Sequence, residues 1–197
     1  MTVSDGRSVT LRRGETISLT QAGISPRSAI RIETSWTCRR RRGLFRNRSE
    51  EIDMDVSAVL FSERQPVDVV FFRHLLSDDG SVRHSGDSLD SSRAGTGTES
   101  LLVDLRRVPV HVDAIVITLN SFTGQSLAVV ESVTLGLVDL DREHETAVYP
   151  LAGGGTHTAC ILARLSRAGT DWCLTALGIP ASGRTFQDLM PAILPLL

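Results

Sequence analysis

The sequence predicts an all-β chain, a two-sheet antiparallel β-sandwich with a short C-terminal helical segment. Three observations predict it. Strand-like segments recur every 10–20 residues, turn signals rich in Gly, Ser and Asp separate them, and helical spacing is confined to the end of the chain. Many short strands with almost no helix must bury their apolar faces against a second sheet.

The elements follow in order. Ser8–Arg12, Glu15–Leu19 and Ala29–Thr37 open the chain, and in the third Ile30, Ile32 and Trp36 alternate with polar neighbours, as the two-residue period of a strand requires. Residues 38–50, with Arg39, Arg40, Arg41, Arg42, Arg46 and Arg48, have no apolar period and read as an Arg-rich loop. Ile52–Ser62, Val67–His74, Leu101–Leu105, Ala114–Leu119, Val129–Leu140 and Thr146–Tyr149 are the next strands. His157–Ser166 and Trp172–Leu177 flank Arg167-Ala168-Gly169-Thr170-Asp171, a hairpin turn, and Gly153-Gly154-Gly155 marks a flexible connection. Residues 184–197 form the helical tail, with Phe186, Leu189, Met190, Ile193 and Leu194 on one face and Pro191 and Pro195 set to break or kink it. Undocked, that face exposes many apolar groups, so it packs on the sandwich or is buried in an oligomer.

A chain of 197 residues, 41% hydrophobic, holds enough apolar material for one packed domain spanning residues 1–197. No apolar run approaches the roughly 18 residues of a membrane span, and the first residues lack a signal-peptide pattern, so the expected location is cytoplasmic. Cys38, Cys160 and Cys173 have no CxxC or zinc spacing and read as reduced core thiols. All 21 basic residues are arginines, which excludes a P-loop lysine and Schiff-base chemistry. Residues 1–50 carry 11 arginines against Asp5, Glu15, Glu33 and Glu50, a net of +7 that leaves −9 for the rest.

Two stretches carry the functional information. In Ile52-Asp53-Met54-Asp55-Val56-Ser57-Ala58, strand alternation places Asp53 and Asp55 on one face, about 7 Å apart along the strand. The second is Ser77-Asp78-Asp79-Gly80-Ser81-Val82-Arg83-His84-Ser85-Gly86-Asp87. Carboxylates gathered from two such segments suit a hard, oxygen-seeking cation.

Asp53-Met54-Asp55-Val56-Ser57-Ala58 matches a DxDxSA element, Phe71-Phe72-Arg73-His74 stands loosely at an FYNQ position, and residues 79–88 closely follow a DGSVxHxGDN element. Val108–Ile115 and Trp172–Gly178 follow in the same order as LxxVPxxVDKIV and WKFRAVGQG strands. From Trp36 through Leu177 the chain therefore resembles the TerD family of tellurite-resistance and stress proteins. The resemblance implies two stacked antiparallel sheets with calcium-binding loops at one end, and it assigns Asp53, Asp55, Asp87 and Glu99 as metal ligands, with Asp90 nearby as a substitute.

Departures from the family pattern weaken that site. The acidic loop is reduced to Asp90-Ser91-Ser92-Arg93-Ala94-Gly95-Thr96-Gly97-Thr98-Glu99, Ser88 replaces an Asn, and Asn120 stands where relatives tend to carry an Asp. Four carboxylates suit one calcium ion and not two. The competing picture is a metal-free scaffold in which arginines from the loop neutralise the acids through bidentate pairs.

No GxSxG, HExxH or complete dinucleotide fingerprint is present, and no catalysis is expected. His84 is expected to brace its turn, and His74, His111, His144 and His157 to be packing or surface residues. The expected role is a binding or scaffold module with at most one weakened calcium site, partnered by other stress or tellurite-resistance proteins or by itself. The alternative is a divergent assembly subunit that uses Arg39–Arg42 and the C-terminal tail to contact partner proteins or an anionic surface. Only one aromatic lies in the arginine run, so nucleic acid is not an expected partner.

Overall fold

The computed structural model describes residues 8–42, 47–49, 52–86 and 95–197. The strands in chain order are β1 (Val9–Thr10), β2 (Thr16–Ser18), β3 (Ala29–Cys38), β4 (Arg40–Arg42), β5 (Asn47–Ser49), β6 (Met54–Ser62), β7 (Gln65–Val70), β8 (Val82–His84), β9 (Thr96–Asp104), β10 (Ala114–Ser121), β11 (Val130–Asp139), β12 (His144–Ala152), β13 (Ala159–Ala168) and β14 (Asp171–Ala181), followed by the helix α1 (Phe186–Ile193). They form two six-stranded sheets, β1-β12-β11-β3-β9-β8 and β2-β14-β13-β10-β6-β7. The expected β-sandwich is the observed fold. Among the described residues its one departure from antiparallel pairing is the two-residue edge strand β1, which runs parallel to β12 before the chain crosses to the other sheet as β2.

Alternation explains the layers. β3 places Ile30, Ile32, Trp36 and Cys38 in the space between the sheets, where they meet Met54, Val56, Ala58 and Leu60 of β6 and Ile115, Ile117 and Leu119 of β10. The other face of β6 and β10 is also apolar. Val59, Phe61, Ala114 and Val116 point outward and are covered by Leu189 and Ile193 of α1, giving a third layer. The tail thus packs on its own sandwich. Arg64 fastens it by donating to the carbonyls of Leu197 at 2.6 Å and Leu194 at 2.7 Å, and Arg164 donates to that of Leu196.

The helix begins where the Asp188 carboxylate accepts the N–H groups of Arg184 and Thr185. Pro191 lies inside α1 without breaking it, and the chain tightens to a 3₁₀ turn at Leu194–Leu196. Among the described residues no helix is long and apolar enough to cross a membrane. β13 and β14 are joined through Gly169-Thr170, with Gly169 at φ +64°, the left-handed conformation that a tight hairpin demands.

The segment expected as a loop, residues 38–50, carries a ribbon. Arg40, Arg41 and Arg42 pair with Ser49, Arg48 and Asn47 in a two-stranded sheet of their own. Polar residues fill both of its strands, so alternation gave no sign of it. Leu44 and Phe45, the expected apolar tip, lie outside the described residues. The ribbon leaves β3 at the end of the sandwich where β6 begins.

Candidate ion-binding end of the sandwich

β3 ends, β6 and β9 begin, and β10 ends at one pole of the sandwich. Asp53, Asp55 and Glu99 are brought to that pole, and Asp87 and Asp90 lie outside the described residues. The three described acids do not share one surface. Met54, Val56 and Ala58 face the inter-sheet core, so Asp55 and Ser57 face outward, and Asp53 ahead of them is exposed. Glu99 belongs to the inner layer. Its neighbours on the same face of β9, Gly97, Leu101 and Val103, are buried with it, and Glu99 itself is 3% exposed.

Glu99 has a structural duty there. β7 pairs with β6 only from Ala58 onward, so the edge of β6 ahead of that point lacks a strand partner on this side. The Glu99 carboxylate fills the gap by accepting the Val56 N–H at 2.8 Å. His84, wholly buried, presents Nε2 to the same oxygen at 3.4 Å. Its Nδ1 accepts the Gly86 N–H at 2.9 Å, which assigns the proton to Nε2 and makes the ring a neutral brace of the turn.

On the outer face Asp55 stands opposite Asn120 in the β6–β10 register. Asn120 donates through Nδ2 to the Arg184 carbonyl, which fixes its amide, and its Oδ1 is buried without a hydrogen-bond partner among the described residues. Both side chains line a cleft of about 220 Å³ beneath the start of α1. Phe71, Phe72, Phe122 and Phe186 form its apolar walls through ring contacts of 5.3–5.6 Å. Arg73 and Arg184 line it as well. The expected arginine neighbours of the acids were those of the loop at residues 38–50, whose side chains from Arg40 onward lie outside the described residues; Arg73, from the turn after β7, and Arg184, on the approach to α1, share the cleft with Asp55.

This donor set suits calcium in kind and falls short in number. Asp53, Asp55 and the Asn120 oxygen are hard ligands, but an ion that takes six to eight oxygens would need Asp87, carbonyls or water to complete its shell. The second motif is mostly architecture. Asp79 Oδ1 accepts the Ser77 hydroxyl at 2.9 Å and the Ser81 N–H at 2.6 Å, Gly80 adopts φ +69°, and Val82 enters the core. Burial pushes the Asp79 carboxyl up, but hydrogen bonds from Ser81 and Ser77 and the charge of Arg107 outweigh it and hold the group below the ordinary carboxylate value.

A second cluster was missed in the sequence. Asp68 of β7, His74 of the following turn and Asp78 offer ligand atoms that all lie within 4.8 Å of one another, the one such group of three or more among the described residues. His74 reads from sequence as a packing or surface residue. The signal that could have marked it is the i,i+4 spacing of His74 and Asp78 beside a strand-borne acid, but only the tight turn that pairs Phe71 with His74 folds the chain back to join them.

The chain matches the TerD domain over residues 8–191. It belongs to the TerD family. It is 34% identical over 186 residues to the tellurium resistance protein TerZ of Serratia marcescens, covering 92% of this chain and 94% of that protein. To the stress response protein SCP2 of Bacillus subtilis (strain 168) it is 25% identical over 195 residues, with 92% and 97% covered. The crystal structure of a homologue of telluride resistance protein (TerD) from Streptomyces coelicolor A3(2) superposes with a TM-score of 0.60 at 14% identity, covering 83% of this chain and 95% of that one. That likeness establishes the shared TerD fold.

Proposed function

We propose that this TerD-family chain is a non-enzymatic binding or scaffold component of a tellurium-resistance or stress system, with at most one weakened calcium site at the acidic pole of its sandwich. The observation that carries the reading is the pairing of Asp55 with Asn120 on the outer face of β6 and β10, where the Asn120 amide oxygen has no hydrogen-bond partner among the described residues. Asp53 and Asp55 would supply the first carboxylates, and Asp87 is the further candidate. The names of the relatives support the system to which the chain is assigned.

A second reading is favoured by Arg73 and Arg184 in the same cleft. Guanidiniums can occupy the electrostatic place of a cation, and the chain would then be a metal-free assembly subunit whose Arg39–Arg42 segment and C-terminal tail contact an acidic partner or surface. Thermal unfolding of chelator-treated protein separates the two. At calcium one hundred times above its dissociation constant, a site stabilises the fold by about 2.7 kcal/mol, or roughly 5–10 °C for a chain of this size. Asp53→Asn should abolish that rise. A melting temperature indifferent to calcium in the unaltered chain removes the calcium reading and leaves the assembly reading.

A further inference from the structure

We propose that Asp68, His74 and Asp78 form a second, separate metal site, one for a borderline divalent transition ion of the zinc type. The argument starts from the histidine. His74 Nδ1 lies 2.8 Å from the Val69 carbonyl oxygen, an acceptor with no proton of its own, so Nδ1 carries the hydrogen and donates it. Nε2 is then the ring nitrogen left for a ligand, and Asp78 Oδ1 lies 3.6 Å from it. A metal ion held between the two, in place of the proton of an imidazolium, would join them. The separation is close to the edge of a tetrahedron whose metal–ligand bonds are about 2.1 Å.

The surroundings match what an imidazole-bound metal needs. A ligating histidine ordinarily donates its other ring N–H to a carbonyl or carboxylate, which fixes the tautomer and aims the free nitrogen. Here the Val69 carbonyl does this from outside the cluster. Asp68 is anchored in turn: Oδ1 accepts the Val69 N–H at 2.7 Å and Oδ2 the Asp78 N–H at 2.8 Å, so the two ends of the turn are tied before any ion arrives. Asp68 brings a carboxylate oxygen within 4.8 Å of the ligand atoms that His74 and Asp78 offer. Asp78 is 90% exposed, which leaves the site open to solvent and to water as a remaining ligand.

Ligand type selects the ion. Calcium and magnesium take oxygen donors, whereas an imidazole nitrogen with two carboxylates suits zinc and its neighbours. The site shares no ligand with the Asp53–Asp55 face, so it stands whether or not calcium binds there.

The test uses the full chain, Zn²⁺ alone as the probe in calorimetry, and Co²⁺ as its spectroscopic substitute. One equivalent of Zn²⁺ should bind, and the Co²⁺ complex should lack a thiolate charge-transfer band, since the cysteines take no part. His74→Gln keeps a side-chain N–H for the Val69 carbonyl and should weaken Zn²⁺ binding by more than about tenfold, as should Asp78→Asn. Asp53→Asn should leave it unchanged. Zn²⁺ binding of equal strength in His74→Gln, binding of several equivalents indifferent to both substitutions, or no binding at all overturns the assignment. Melting curves of the metal-free variants that coincide with that of the unaltered chain exclude misfolding as the cause of a loss.

Discussion

Replacing Glu99 with Ala tests whether this acid holds the fold together independently of any ion. The Val56 N–H, which Glu99 accepts at 2.8 Å, has no neighbouring strand on that side, so truncation leaves a buried donor unsatisfied. That alone costs about 1–3 kcal/mol. His84 adds no uncompensated charge, because its ring is neutral when Nδ1 accepts the Gly86 N–H. A loss near 2 kcal/mol in a domain of this size lowers the melting temperature by roughly 4–8 °C. Glu99→Gln should lose much less. One oxygen faces both the Val56 N–H and His84 Nε2, and an amide oxygen can take its place. Differential scanning calorimetry of both variants in chelator reads the effect without metal. If Glu99→Ala melts within a degree of the unaltered chain, or Glu99→Gln falls as far as Glu99→Ala, the strand-edge account of Glu99 is wrong.

Three further outcomes are expected. Asn120→Asp should destabilise the metal-free chain, since it sets a buried carboxylate opposite Asp55 and removes the donor to the Arg184 carbonyl, yet it should enlarge the calcium-induced rise in melting temperature; a rise no larger than in the unaltered chain counts against a site there. For Asp171, burial pushes its carboxyl up, but hydrogen bonds from Ser18, Thr20 and Trp172 outweigh it and hold it below the ordinary value of 3.8. Its contribution is therefore present above about pH 4 and lost as acid carries the solution through the lower folded value, so urea midpoints compared at about pH 5 and pH 3 should fall less in Asp171→Asn than in the unaltered chain. Burial pushes the Cys160 thiol up to about 12, so mass spectrometry after brief iodoacetamide treatment of native protein near neutral pH should find Cys160 unmodified.

Most of the fold was legible because it rests on alternation. β3, β6, β10 and β13 place apolar residues at every second position, and a sheet with such a face has few alternatives to stacking on another. The misses share a physical cause. The Arg40–Arg42 and Asn47–Ser49 ribbon has no apolar residue in either strand, so no hydrophobic pattern could reveal it. β8 is three residues inside a motif, too short for a period. The start of β9 was hidden by chemistry: the apolar run begins at Leu101, but the strand begins at Thr96. Gly97 is small because the Trp36 ring lies over it, an added Cβ there meeting the ring at a physically impossible separation. Glu99 follows two residues later on the same inward face.

That five-residue extension of β9 decides how the acids of the pole are sorted. Read as a loop, Glu99 is one more flexible carboxylate free to join Asp53 and Asp55. As the second inward residue of a strand flanked by β3 and β8, it reaches β6 from beneath, and the backbone of β6 stands between it and the outward-facing Asp55. A motif records that carboxylates recur in order along the chain but not on which face of a strand each one emerges. In this chain Asn120 and two arginines accompany Asp55 on the outer face, while on the inner face Glu99 satisfies a backbone N–H of β6. Substitutions on the two faces should therefore separate cleanly in calorimetry: outer-face changes alter the response to calcium at little cost to the metal-free fold when the residue is exposed, as Asp53 is, and inner-face changes alter the metal-free fold itself.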